Sequence, residues 1–356
     1  MPSVSEIAKH AGVSKSTVSL ALNNKPGVSE AMRQLVLQAA AELRVVEEAQ
    51  ALQQASTNII TDNILNVGVK EPLSVVVLHP SILRSSQVFG ELLQGIQAGA
   101  DAYHLQIRLA VKDPAPSDDH ITHLYFSDPT LRPNGVLIIG AQQHEPLVDE
   151  ARQLGIPCVL VGRQSTDSAT AAVGRDEEPA AGEAVNYLVE LGHRIIAFVG
   201  GDEAYSYTHS RLRGYKRALQ AHGINVSERW VALGKGGEAA ETILINAPEV
   251  TAVIFINDAY AMEGLPVFQA AGRVIPDDLS VISFDDTQDA RTFDPPLTSI
   301  SYPRYQEGLW SVKTLVEHIR QPLMKSCRIV FKASLVKRDS CVPPKSTGNT
   351  NSAFVP

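Results

Sequence analysis

Three short stretches place polar groups where a ligand could be held: Arg211 opens RLRGYKRAL, Asn257 and Asp258 end FIND, and Asp285 and Asp286 end ISFDD. A guanidinium, an amide and a carboxylate together offer multidentate donors and acceptors, the set that grips vicinal hydroxyls or a carboxylate. Asp258 and Asp286 could equally cap helices or turns, and Arg211 could serve as one half of a structural bridge to Asp176 or Asp285. Catalysis has less to recommend it. Neighbouring aspartates on an extended strand face opposite ways, which spoils Asp285 and Asp286 as an acid and base pair. Gly192-His193-Arg194 reads as a helix-to-strand turn rather than a general base, and no P-loop or dinucleotide fingerprint occurs. Cys158, Cys327 and Cys341 lack CxxC spacing and partnering histidines, so idle thiols are expected, with no metal and no cofactor.

A different chemistry is written into AGVSKSTVSLALNN, residues 11–24. Ser3 and Glu6 form a capping box for a helix running to about His10, Gly12 supplies a tight turn, and Ser14 caps a second helix over roughly Lys15 to Asn23. Ser29 then starts a third helix with Met32, Leu35, Val36, Ala39 and Leu43 on one face. The start of the second helix leaves Lys15, Ser16, Thr17, Ser19 and Leu20 outward, small groups beside the positive end of a helix dipole, which suits close approach to DNA. A plain three-helix mini-domain is the alternative.

Behind these groups stand elements of two kinds. From residue 72 the aliphatic runs LSVVVLHP, LQIRLAV, GVLIIG and IPCVLVG alternate with helical patterns, and a second series follows in AAVGRD, RIIAFVGG, AVIFIND and LSVISFDD. Such alternation predicts two doubly wound lobes, each a parallel sheet covered on both faces, with ligands held in the cleft between strand ends. A chain of 356 residues with 44% apolar and 20% charged residues fits several soluble units. Residues 1–45 hold five basic and three acidic residues, a balance of +2, so a total of -8 leaves -10 for the remainder. A basic head on an acidic body confines any DNA contact to the head. No apolar stretch approaches the ~18 residues of a membrane span and the start resembles no export signal, so a cytoplasmic protein without membrane contact is expected.

The AGVSxxTVSxxLN pattern, with VSEAMRQLVLQAAAEL after it, resembles the head of the lactose-repressor/galactose-repressor family of bacterial transcription regulators. TAVIFIND, AGRVIPDDLSVISFDD, DPPLTSI and LVELGHRIIAFVGG resemble the family's effector-binding core, which is similar to periplasmic sugar-binding proteins. The resemblance implies base reading by Lys15, Ser16 and Leu20 and phosphate contacts by Thr17, Ser19 and Asn23. It also implies effector contacts by Arg211, Asn257 and Asp285, with Phe89 the retained part of a first-strand aromatic motif. Leu20 stands where many members carry arginine, so a thymine-methyl contact replaces a guanine contact.

The chain also departs from that pattern. The hinge segment LGYxPNxxARxL becomes LRVVEEAQALQQ, residues 43–54, in which Leu52 could take the groove-wedging place after a register shift, or simply extend a solvated helix. Aromatics expected at the cleft are replaced, notably by glycines at Gly234, Gly236 and Gly237.

The expected organisation is a helix-turn-helix domain over 1–45, a linker over 46–71, a two-lobed body over 72–340 and a disordered tail over 341–356. The chain should cross between lobes near Arg163, Phe293 and Lys325, making lobe 1 residues 72–163 with 294–325 and lobe 2 residues 164–293 with 326–340. The function implied is a DNA-binding transcriptional regulator, read as a repressor, acting as a homodimer on a near-palindromic operator and modulated by a small polar, sugar-like effector. A regulator with a degenerate, non-sensing cleft and a solute-binding protein are the alternatives.

Overall fold

In the computed structural model the residues described are 3–22, 27–29, 32, 33, 35, 36, 74–80, 86–112, 126, 132–139, 146–163 and 169–345. Asn23, Leu52 and the linker readings lie outside them. The chain divides into two compact units, Met1–Lys70 and Glu71–Pro356.

In the first unit, α1 (Val4–His10) and α2 (Lys15–Leu22) are separated by a turn at Gly12, whose φ of 65° is one that residues with a Cβ rarely adopt. Ser14 Oγ accepts from Thr17 N at 3.1 Å, which is the expected N-cap. Ile7, Ala8, Val18 and Ala21 close a small core with Val36 of the third helical segment. Arg33 Nη1 donates to Ala21 O at 2.8 Å and so satisfies one of the orphan carbonyls at the end of α2.

The second unit holds two six-stranded sheets. In lobe 1 the strands are β1 (Ser74–Pro80), β2 (Gln106–Lys112), β3 (Gly135–Ile139), β4 (Cys158–Val161), β5 (Ala171–Arg175) and β11 (Arg328–Phe331). They lie in the order β11-β5-β4-β3-β1-β2, and neighbouring strands pair in parallel. Alternation decides which face each side chain joins. Leu137, Ile139, Val159, Val161 and Val173 meet Leu92 and Ile96 of α3 (Ser86–Tyr103) and Val312, Leu315 and Val316 of α10 (Arg304–Arg320). Val136, Ile138, Leu160 and Ala172 meet Leu147 and Ala151 of α4 (Pro146–Gln153) on the other face. α3 and α10 approach closely because Gly308 lies against α3, where a Cβ would come within 2.1 Å of Leu92 O. That contact fixes the helix whose first residue, Arg304, enters the cleft.

Lobe 2 repeats the plan with β6 (Ile196–Val199), β7 (Val231–Ala232), β8 (Ala252–Phe255), β9 (Ser280–Phe284), β10 (Thr298–Ser301) and β12 (Ser334–Val336). The order is β12-β10-β9-β8-β6-β7, and only the β10–β12 pairing is antiparallel. One face is covered by α5 (Glu177–Glu190) and α6 (Ser206–Ala221), through Val185, Leu188, Tyr215 and Leu219. The other is covered by α7 (Gly236–Asn246) and α8 (Asp258–Ala270), through Ile243, Leu265 and Phe268. The short α9 (Gln288–Thr292) follows β9.

Three crossings join the lobes as expected, but not at the residues the sequence suggested. The chain passes from β5 to α5 at Asp176, from β10 to α10 through Tyr302 and Pro303, and from β11 to β12 through Lys332 and Ala333, rather than near Arg163, Phe293 and Lys325. The cause is AAVGR, which looks like the opening strand of the second series yet hydrogen-bonds beside β4 in the first sheet. Thr298–Ser301 and Arg328–Phe331 are likewise the last strands of the lobe being left. The disordered-tail expectation also needs correcting for its first residues. Val281 N donates to Ser340 O at 2.8 Å, Cys341 Sγ donates to Val281 O at 3.1 Å, and Val342 N donates to Ser280 Oγ at 3.0 Å. Hydrogen bonds to β9 hold this segment without any hydrophobic periodicity to announce it.

Candidate functional site

On α2 the buried face is Val18 and Ala21, which leaves Lys15, Ser16 and Ser19 exposed and Thr17 and Leu20 half-buried. Ser14 Oγ lies 2.7 Å from Ser16 Oγ and 2.8 Å from Thr17 Oγ1, so three hydroxyls form one polar edge at the helix start. The free N–H groups of a first helical turn and a lysine beside them suit phosphate and base edges. Leu20 turns partly toward the head's own turn, since a Cβ on Gly27 would meet its Cδ1 at 3.7 Å.

In the body, Phe89, Arg211, Asn257 and Asp285 come together at a cavity of about 170 Å³ between the two lobes. Its lobe 1 side combines apolar Val88, Phe89, Leu92, Ile139 and Val161 with Arg175 and Arg304. Tyr205, Tyr207, Asn257 and Asp285 line it from lobe 2. The cleft is therefore not short of aromatics: Tyr205 and Tyr207 line it and stack with centroids 5.4 Å apart. Strand-end reasoning passes over them because Tyr205 is the N-cap residue of α6 and Tyr207 lies in its first turn.

Arg211 is a bridge as well as a lining residue. Its Nε donates to Glu177 Oε2 at 2.6 Å, its Nη1 donates to Ile256 O, and its guanidinium lies 4.2 Å from the Phe284 ring centroid. The partner is Glu177, not Asp176 or Asp285. Two further buried pairs flank it. Arg175 gives Glu307 a bidentate contact, with Nη2 to Oε2 at 2.7 Å, and Arg304 Nη2 donates to Asp285 Oδ1 at 2.7 Å. Tyr302 sits among all three guanidiniums, at 4.8 Å from Arg175 and 5.8 Å from both Arg211 and Arg304, while its hydroxyl donates to Glu177 Oε2 at 2.6 Å. Arg175, Glu177, Tyr302, Arg304 and Glu307 carried no separate signal in the sequence, although each flanks a strand end or a crossing.

These groups set one another's ionisation. Burial would raise the Asp285 carboxyl, but the guanidiniums of Arg304, Arg211 and Arg175 hold it below its ordinary value. Burial would raise Glu177 too, and Arg211's charge and hydrogen bond pull it down. Arg304 moves the other way: burial and the like charge of Arg175 lower it, against Asp285 and Glu307. Asp285 is also held at φ 103°, a region that disfavours residues with a Cβ; its N–H donates to Ile300 O at 2.8 Å and Arg304 grips its carboxylate. Asn257 caps α8 by accepting from Tyr260 N at 3.0 Å, and it lines the cavity as well.

Asp258 and Asp286 do not line this cavity. Asp258 accepts from Ser283, Ser299 and Thr287, tying β9 and β10 to the start of α8. Burial, then the charge of Asp285, pushes its carboxyl up to about 6 against those hydrogen bonds. Asp286 pairs with Arg291 and Arg338. His193 is a tie, with Nδ1 2.8 Å from Thr251 Oγ1 and Nε2 2.9 Å from Val342 O. Cys341 is buried and its thiol is pushed up to about 11 by that burial, while Cys158 and Cys327 are half-buried and form no disulfide among the described residues. Among the described residues no His, Cys, Asp and Glu group is placed to hold a metal, and no helix is long and apolar enough to cross a membrane.

Comparison with known proteins matches residues 3–44 to the model of bacterial regulatory proteins, lacI family, and residues 185–341 to the periplasmic binding protein-like domain. The HTH-type transcriptional repressor CytR of Escherichia coli is 30% identical over 341 residues, covering 94% of this chain and 95% of that protein. Catabolite control protein A of Priestia megaterium is 29% identical over 341 residues, covering 92% and 98%. Among solved structures, a transcriptional regulator CelR–cellobiose complex superposes with a TM-score of 0.71 at 26% identity, covering 96% of this chain and all of the other. The lac repressor dimer bound to operator and an anti-inducer shares the fold, with a TM-score of 0.67 at 23% identity and coverage of 96% and 99%.

Proposed function

The chain belongs to the LacI family of bacterial regulatory proteins, and from that premise we propose that its α2 reads an operator while its cleft takes a small polar effector that changes operator affinity. The observation that carries this reading is the division of α2 into a buried face, Val18 and Ala21, and an exposed start carrying Lys15 and Ser16. A helix committed on both faces to its own domain could not enter a groove. The relatives are transcriptional regulators, and CytR is a repressor, which supports repression as the mode of action. A regulator complexed with cellobiose supports a sugar or related polar metabolite as the effector class.

Lys15, Ser16 and Leu20 read bases in this proposal, and Thr17, Ser19 and Asn23 hold phosphates. Phe89, Arg211, Asn257 and Asp285 contact the effector, with Arg211 doing so from within its pair with Glu177. A homodimer presents two such heads, so the operator is a near-palindrome. An effector shifts operator affinity only through unequal affinity for two lobe arrangements, and the crossing residues 176, 302–303 and 332–333 are where such arrangements differ. The test is titration of full-length protein against a selected operator in the presence and absence of a cleft ligand. Operator affinity that no cleft-binding compound moves would leave DNA reading intact and favour a non-sensing cleft.

A further inference from the structure

Resting on the reading of the cleft as an effector site, the chemistry of its walls narrows the effector's class. The three carboxylates about the cavity are engaged in part: Glu177 Oε2 accepts from Arg211 and Tyr302, Glu307 accepts from Arg175 on both oxygens, and Asp285 Oδ1 accepts from Arg304. Asn257 Oδ1 is taken by the backbone of Tyr260. A ligand hydroxyl can still reach the other oxygen of Glu177 or Asp285, so the acceptor side is met only in part. The donor side differs. Arg304 is only 3% exposed, it lines the cavity, and its Nη1 is a buried donor without a hydrogen-bond partner among the described residues. Buried donors are rarely left unmet, so Nη1 awaits an acceptor. A planar guanidinium with one edge free favours a carboxylate oxygen above other acceptors. Arg175 lies close enough that its like charge lowers the Arg304 pKa, and an added anion relieves that repulsion.

Size and the apolar part of the lining complete the description. A cavity of about 170 Å³ compares with the ~150 Å³ that accepts benzene in an apolar protein interior, which is room for one ring. Val88, Phe89, Leu92, Ile139 and Val161 offer that ring an apolar face. We propose that the effector of this cleft is a single-ring monocarboxylate, its acid group received at Arg304 Nη1 and its ring lying against Phe89 and the aliphatic wall. Aromatic acids and ring-form sugar acids share this chemistry.

The experiment measures calorimetric binding of benzoate, benzamide, glucuronate and glucose to the full-length protein, with operator affinity followed under the same conditions. At least one acid is expected to bind about tenfold or more tightly than its neutral counterpart, and the better acid identifies the ring type. Arg304→Lys keeps a cation for Asp285 but removes the second guanidinium nitrogen, so it should erase that ratio. If this variant fails to fold, the comparison of acid with neutral ligand on the unaltered protein decides alone. Acids that do not bind, neutral ligands that bind as well, or a ratio unchanged in a folded Arg304→Lys protein would each overturn the proposal. Glucose shifting operator affinity while both acids are inert would sink this inference and leave the regulator reading standing. An acid that binds without moving operator affinity would do the reverse.

Discussion

Replacing Arg211 by alanine should damage the fold before it reports on sensing. The guanidinium is 3% exposed and meets Glu177 Oε2 at 2.6 Å, with Glu177 itself only 8% exposed at its side chain. Deleting one partner of a buried pair strands the other charge, which costs about 3–5 kcal/mol, whereas replacing both by uncharged groups is close to neutral. Glu177 keeps the Tyr302 hydroxyl and the nearby charge of Arg175, so the loss should fall near the lower end, about 3 kcal/mol. That is a large share of a typical stability of about 5–15 kcal/mol. In a double-mutant cycle built from Arg211→Met, Glu177→Gln and the two together, the double variant should recover most of the loss, giving a coupling above about 2 kcal/mol. Urea unfolding followed by tryptophan fluorescence reads the right unit, because both tryptophans, Trp230 and Trp310, lie in the body. The pH dependence has a definite sign. Glu177's carboxyl is lowered in the fold, so its contribution is present above its ordinary value of 4.5 and is lost as pH falls through the folded value. The gap between the parent and Arg211→Ala should therefore narrow on acidification. A destabilisation under about 1 kcal/mol at neutral pH, or a cycle with no coupling, would refute this account of the pair.

Asp258 predicts the opposite pH trend: its carboxyl rises from 3.8 to about 6, so the folded state holds the extra proton and gains stability as pH falls from about 6 to 4. The gain is at most about 3 kcal/mol in full, of which about 1.4 kcal/mol accrues between pH 7 and 5, and chemical denaturation at those two pH values should show that part in the parent but not in Asp258→Asn. Gly308→Ala forces a Cβ to within 2.1 Å of Leu92 O, a backbone atom that no rotamer change relieves, so calorimetry should show a destabilisation of about 1–3 kcal/mol. A Gly308→Ala protein within 0.5 kcal/mol or so of the parent would show that α3 and α10 separate more easily than their packing implies.

The lobes were legible because period-2 aliphatic runs such as GVLIIG and TAVIFIND need both faces covered, and the observed strands keep that alternation. Asn257 and Asp285 were legible as strand-end polar groups and Arg211 as a helix residue, though its helix begins earlier, at Ser206; all three share one cavity with Phe89. The crossings were not legible, because a strand such as Ala171–Arg175 carries no mark of which sheet it will join. The ion pairs were hidden for a similar reason: Arg175 meets Glu307 across 132 positions and Arg211 meets Glu177 across 34. No local pattern couples residues so far apart. The segment Ser340–Val342 lacked periodicity because hydrogen bonds between backbone groups and the side chains of Ser340, Cys341 and Ser280 hold it to β9.

The most direct test of the central claim is selection of duplexes from a random library by the full-length protein, repeated with Lys15→Ala and Ser16→Ala. Enrichment of a near-palindrome is predicted, and truncating a base-reading side chain should cost about 1–3 kcal/mol per half-site and relax preference at its own position. Enrichment of no sequence, or of the same sequence with unchanged affinity and base preference in both variants, would contradict it.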